Sequence, residues 1–226
     1  MDKVGEYTLQ IMKLAGWYNN WLFSLVKPYL KGKILEVGTG IGNFTYLLAK
    51  EGEVTSIDID KVYINKLKKS VSIKVGYGDI EKGTYFFSKK KFDCIVCMNV
   101  LEHIKNDSVA LENMLSLLKP KGRLILLIPA HKFAYGRLDK NLGHYRRYSK
   151  GEIVLKLVGS GFKVKKLNFL NFFGIVGWFL NSRLLKRDVL PSSQLRIFDL
   201  ISRPFLFVEK FIEPRMGLSI LVVAEK

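Results

Sequence analysis

Short apolar runs separated by helical stretches constrain this chain more than any other feature. KILEVG (33–38), EVTSIDI (53–59), SIKVGYG (72–78), FDCIVCMN (92–99) and GRLILLIPA (122–130) each have the length and apolar density of a buried strand. Between them, FTYLLAKEG, KVYINKLKKS and SVALENMLSLLKPKG space their apolar groups as helices do. The last of these leaves through Lys119-Pro120-Lys121-Gly122, a typical helix exit. Strands that alternate with helices are joined by right-handed crossovers, so the pattern predicts a mainly parallel sheet with helices on both faces. Upstream, residues 6–30 read as one or two helices that stop near Pro28. Downstream come a helix at 150–159, a strand at 162–170, an aromatic stretch to about 216, and a last apolar run, LSILVVAEK. With 226 residues and 48% hydrophobic content, the chain is expected to form one well-filled domain, which excludes disorder.

The first strand turns into its helix through Glu36-Val37-Gly38-Thr39-Gly40-Ile41-Gly42, where glycines let the backbone pass close to a ligand at a helix N-terminus. A dinucleotide loop wants another glycine at position 43, which here is Asn43, and Glu36 would repel a pyrophosphate. A carboxylate there suits an ammonium group. S-adenosylmethionine has that ammonium, a sulfonium and no phosphate. Asp58 ends the second strand, where a carboxylate can accept from both ribose hydroxyls, and Asp79 ends the third, within reach of an adenine amino group. Asn99-Val100-Leu101-Glu102-His103 follows the fourth strand into a loop over the cofactor. These signals fall at the carboxyl ends of successive strands, where open α/β sheets bind ligands.

Over residues 33–130 the sequence resembles the class I S-adenosylmethionine-dependent methyltransferases. The resemblance implies a Rossmann-like, seven-stranded, mainly parallel sheet with an α-helical cap. It also implies Glu36, Gly38, Gly40 and Gly42 as the first motif, Asp58 on ribose, Asp79 near adenine, and Asn99 and Val100 beside the methionine end. Thr39, Ile59 and Ile80, in the same loops, complete the expected cofactor contacts. DKNLGHYRRYS (139–149), with Gly161-Phe162, Asn171-Phe172-Phe173-Gly174, Gly177-Trp178 and Gly217-Leu218-Ser219, looks like a bacterial and archaeal methyltransferase group found near glycan- or lipid-assembly genes. One domain is expected throughout, with a helical cap at 1–32, a cofactor half at 33–130 and an acceptor half at 131–226 that carries a helical insertion at about 170–216.

Charge separates the two halves. Residues 131–226 hold +11 of the formal +17, so the excess belongs to the acceptor side and predicts an anionic substrate or surface. Arg146 and Arg147 can take a phosphate or carboxylate bidentately, with Tyr148 beside them, while His144, Tyr145 or His103 can accept the acceptor's proton. Glu102 and His103 also match a metal-binding pattern of some relatives, but Asn99 stands where those supply another acid, so no metal is expected. Cys94 and Cys97 point to opposite faces of a strand and read as core in a reducing compartment. No apolar leader or spanning segment appears, which predicts a cytoplasmic protein, peripheral at the inner membrane surface if the aromatic stretch between 169 and 212 meets lipid headgroups. The expected reaction is methyl transfer to a small or lipid-linked anionic acceptor. An RNA methyltransferase is the first alternative, although the Pro-Pro-aromatic loop of enzymes that methylate exocyclic base amines is missing. A non-catalytic cofactor-binding assembly protein is the second.

Overall fold

The computed structural model of the protein describes residues 3–69 and 73–226. Eight strands, β1 (Lys33–Val37), β2 (Glu53–Asp58), β3 (Lys74–Asp79), β4 (Thr84–Tyr85), β5 (Phe92–Met98), β6 (Leu118–Pro129), β7 (Lys163–Leu170) and β8 (Ser219–Glu225), form one sheet ordered β4-β3-β2-β1-β5-β6-β8-β7. From β3 to β6 every pairing is parallel, as apolar strands covered on both faces require. β8 runs antiparallel between β6 and β7. The expected count of seven is corrected to eight by β4, which folds back antiparallel on Gly78 and Asp79. Two residues carry no periodicity, so nothing in the sequence marks that strand.

Ten α-helices accompany these strands among the described residues. They are α1 (Lys3–Lys13), α2 (Gly16–Val26), α3 (Thr45–Leu48), α4 (Lys61–Lys68), α5 (Asp107–Leu117), α6 (Arg137–Asn141), α7 (Lys150–Gly159), α8 (Phe172–Phe179), α9 (Ser192–Ile201) and α10 (Arg203–Val208). Two element bounds differ from the sequence reading. The segment FTYLLAKEG is helical only over α3, and the helix exit at 119–122 instead lies inside an irregular start of β6, with Lys121 rather than Gly122 left-handed at φ 61°. Ser70 and Ser72, at the end of one expected helix and the start of one expected strand, lie outside the described residues.

Alternation along the strands divides the core in two. Leu35, Ile95, Cys97, Leu124 and Leu126 face Leu111 and Met114 of α5 and Ile153 and Leu157 of α7. Ile34, Cys94, Val96, Ile125 and Leu127 face Trp21 and Leu22 of α2, Leu195 of α9 and Leu206 of α10. The two cysteines are therefore buried as free thiols on opposite faces of β5. The N-terminal cap and the insertion, far apart in sequence, form one layer. Trp21 Nε1 donates to the Leu206 carbonyl at 2.7 Å, and the Tyr18 amide donates to Asp199 Oδ1 at 2.9 Å. That layer roofs the carboxyl ends of β1 and β5, where strand order reverses and a crevice must open.

Candidate functional site

A cavity of about 620 Å³ opens at that switch point. Its floor is the carboxyl ends of five strands, marked by Val37, Asp58, Asp79, Met98 and Pro129. Leu9 and Met12 of α1, Tyr18 of α2, Trp178 of α8 and Phe198 of α9 contribute to its walls. Apolar side chains dominate, with a few polar groups at fixed places, as in small-molecule sites.

The glycine loop is shaped by close approach. Gly38 has φ 79°, and a Cβ there would collide with Val100 Cγ2. Gly42, at φ 88°, would drive a Cβ to 2.6 Å from Leu67 Cδ2 and does not line the cavity, so its place in the structure is in packing. The remaining expected cofactor residues, Glu36, Gly38, Thr39, Gly40, Asp58, Ile59, Asp79, Ile80, Asn99 and Val100, all do line it. Asp58 ties the loop down: its Oδ2 accepts from the Gly40 amide at 2.9 Å and its Oδ1 from the Asp60 amide at 2.8 Å. Burial raises its pKa, and those two backbone bonds partly offset the rise. Glu36 is buried, and its Oε2 accepts from Thr45 Oγ1 and Ser56 Oγ, each at 2.7 Å. Burial pushes its pKa up to about 7. Asp79 Oδ1 accepts from the amides of Glu81 and Lys82. Asn99 takes the left-handed conformation at φ 53°, which carries the chain sharply off β5 into the next turn.

Three carboxylates at the strand ends fit a ligand with an ammonium, ribose hydroxyls and an adenine amino group. They do not fit a pyrophosphate. Among the described wall residues, the one guanidinium or ammonium is Arg147, and it is already engaged.

The other end of the cavity holds a histidine and carboxylate cluster. A short 3-10 turn, Leu101–His103, presents Glu102 and His103, and the loop after α6 brings in His144. Donor atoms of these three residues lie within 4.8 Å of one another, and the two imidazoles meet edge to face at 4.7 Å. Three such groups can hold a divalent cation or share a proton. Burial and the neighbouring His144 press the His103 pKa down to about 4, so His103 is a neutral imidazole at neutral pH. Burial lifts Glu102 to about 7, and its Oε2 has no hydrogen-bond partner among the described residues.

Asp139, fully buried, organises the cluster. Its Oδ1 accepts from His144 Nδ1 at 3.0 Å and Arg147 Nε at 2.7 Å, and its Oδ2 accepts from the Gly136 amide and from Trp178 Nε1. Arg147 Nη1 also donates to the Ala130 carbonyl, and its guanidinium lies 4.7 Å from the Trp178 ring centre. Sequence reasoning missed this role of Asp139. Its five-residue spacing from His144 was the available signal, but pairing them required the turn after α6 to be known.

Of the expected acceptor-side residues, His103, His144 and Arg147 come together at the cavity, and three others do not. Tyr145 is exposed; Arg146 lies outside the wall and pairs with Asp107 at 2.7 Å. Tyr148 is buried beneath, donating to Asp107 Oδ2 at 2.9 Å. The expected Arg146–Arg147 anion clamp is thus not assembled, because each guanidinium is held by its own buried carboxylate.

Comparison with known proteins agrees with this geometry. Residues 19–167 match the family model described as a methyltransferase domain. The chain is 31% identical over 184 residues to a ubiquinone biosynthesis O-methyltransferase of Rickettsia canadensis, covering 73% of this chain and 72% of that one. Among solved structures, a methyltransferase of Thermotoga maritima that depends on S-adenosylmethionine superposes with a TM-score of 0.67 at 18% identity over the full length of both chains. The N-methyltransferase NodS of Bradyrhizobium japonicum, solved with S-adenosylhomocysteine, gives 0.58 at 16% identity, over 93% of this chain and 87% of that one. A carboxylate-lined crevice at the switch point, a matching family model and a relative of this identity lead to one conclusion: the chain belongs to the methyltransferase-domain family and is an S-adenosylmethionine-dependent methyltransferase.

Proposed function

We propose that this enzyme methylates a hydroxyl group on a small or lipid-linked acceptor whose body is largely apolar. Two buried acceptor atoms of the cavity wall, Glu102 Oε2 and Asn181 Oδ1, lack partners among the described residues, while the wall's one cation is neutralised by Asp139. That combination carries the reading. Buried acceptors without partners call for a ligand that donates hydrogen bonds, and a neutral hydroxyl does so where an anion does not. The O-methyltransferase name of the Rickettsia relative points the same way.

S-adenosylmethionine supplies an electrophilic methyl group, and Glu36, Asp58 and Asp79 are the residues that would hold it. The protein's own part is to orient the acceptor and receive its proton. His144, fixed through Nδ1 by Asp139, offers its other ring nitrogen as the base, with Glu102 and the neutral His103 beside it. In-line placement of the acceptor in this largely apolar cavity contributes the rest of the rate.

The test is His144→Gln, assayed with an apolar phenol as acceptor. Transfer should slow by about 100-fold, the usual scale for a positioned base, while calorimetry shows unchanged cofactor affinity. A variant that transfers at the wild-type rate removes His144 from the chemistry.

A further inference from the structure

The insertion between β7 and β8 has an inner face and an outer face that differ in kind. Residues 192–212 wind almost continuously, since the Ser202 amide bonds to the Phe198 carbonyl and the Leu206 amide to that of Ser202. Leu195, Asp199, Ser202 and Leu206 are buried. At about 100° per residue, Ile197, Leu200, Ile201, Phe205, Phe207, Val208, Phe211 and Ile212 share the opposite side in an arc of about 160°. All eight are exposed, Phe211 to 76% and Ile212 to 65%. Single exposed apolar residues are ordinary, but a continuous helical stripe is not.

Charge is sorted as well. Every acid of this segment is engaged: Asp199 with the Tyr18 amide, Glu209 with the amides of Asn171 and Phe172, and Glu213 with Lys150 and the Phe169 amide. Arg196, Lys210 and Arg215 are exposed and form no ion pair among the described residues. Arg196 and Lys210 follow one edge of the apolar arc, with Arg203 between them. An apolar band bordered by free cations complements an anionic lipid surface, where rings enter the acyl boundary and cations meet phosphates.

We propose that the outward face of residues 197–212 docks on an anionic lipid bilayer. The helix lies in the interface plane; no helix among the described residues is long and apolar enough to cross a membrane. The same segment turns Gln194, Leu195 and Phe198 toward the cavity, so docking sets the acceptor end of the site close to the membrane. A second copy of the chain is a poorer occupant, since two faces edged with cations on proteins of formal charge +17 repel.

The experiment is sedimentation of the full chain with phosphatidylcholine vesicles made with and without phosphatidylglycerol, at low and high salt. Wild type should pellet with the anionic vesicles at low salt and be released at high salt. Phe207→Ser with Phe211→Ser should lose roughly tenfold in vesicle affinity, with an unchanged melting temperature and unchanged turnover of a water-soluble acceptor. Arg196→Gln with Lys210→Gln and Arg215→Gln should abolish the preference for phosphatidylglycerol. Vesicle binding by the Phe pair variant equal to wild type overturns the proposal, as does failure of wild type to pellet. Dimerisation by wild type that the Phe pair variant loses, without vesicle binding, would assign the face to a second copy instead. Turnover of the soluble acceptor reports separately on the proposed chemistry.

Discussion

Glu36 is the side chain proposed to meet the cofactor's ammonium, and its surroundings bear on that role. Its carboxyl is buried between two hydroxyls, and with a pKa near 7 the free protein holds it partly protonated at neutral pH. Because the folded value lies above the ordinary 4.5, the group favours the fold below that value, and its contribution is lost as pH rises toward 7. A ligand ammonium reverses the preference by stabilising the carboxylate. Cofactor affinity should therefore be flat above about pH 7 and weaken as pH falls below it, and Glu36→Gln should bind more weakly with a flatter profile. Calorimetry from pH 5.5 to 8.5 reads both. A wild-type affinity that strengthens on acidification would show that Glu36 does not face a cation. Asp139 is prepared differently, since two cationic or protonatable partners and two neutral donors leave it little freedom, which suits a residue that must hold His144 still.

The roof shows that an element's two faces can serve separate purposes. Leu206 is fully buried against the N-terminal helices, whereas Phe211 projects outward from the same winding. Leu206→Ala should lower stability by about 2–5 kcal/mol, as removal of a buried leucine does, while Phe211→Ser stays within about 0.5 kcal/mol of wild type. Urea denaturation measures both, and equal effects would mean that the roof is packed otherwise than described. Much of this architecture is legible in the sequence. Alternating strands and helices and the final strand follow from period and spacing, whereas the stretch from 170 to 216 reads by those signals only as aromatic and apolar. That Glu36, Gly38, Asp58 and Asp79 share one cavity is equally legible, because each is tied to a strand end that periodicity locates. The acceptor end is not. The segment HYRRYS reads as one cluster, yet one turn of chain sends Tyr145 to solvent, Arg146 to Asp107, Arg147 to Asp139 and Tyr148 into the core. Partners 8 and 39 residues away decide those directions, and spacing alone carries no such information.

At the scale of the whole molecule, the division between halves has a physical sense. The carboxylates at the strand ends line the cavity where we propose the cofactor is held, and the half that carries them is close to neutral. The basic excess of the other half neither lines the cavity nor grips an anionic acceptor there, because Arg147 is paired and the remaining cations lie outside the wall. Part of it borders the apolar face of the roof, the face proposed above to dock on an anionic bilayer. The cavity between the two halves is largely apolar, with two buried acceptor atoms that lack partners among the described residues and a histidine held by Asp139.

The most direct test is to incubate the enzyme and methyl-labelled S-adenosylmethionine with a total cell extract, then to separate organic-phase, glycan, RNA and protein fractions. Label is expected in the organic phase, where it should survive mild alkali as a methyl ether does and a methyl ester does not. Label confined to RNA or protein, with none in the organic phase, would contradict that expectation.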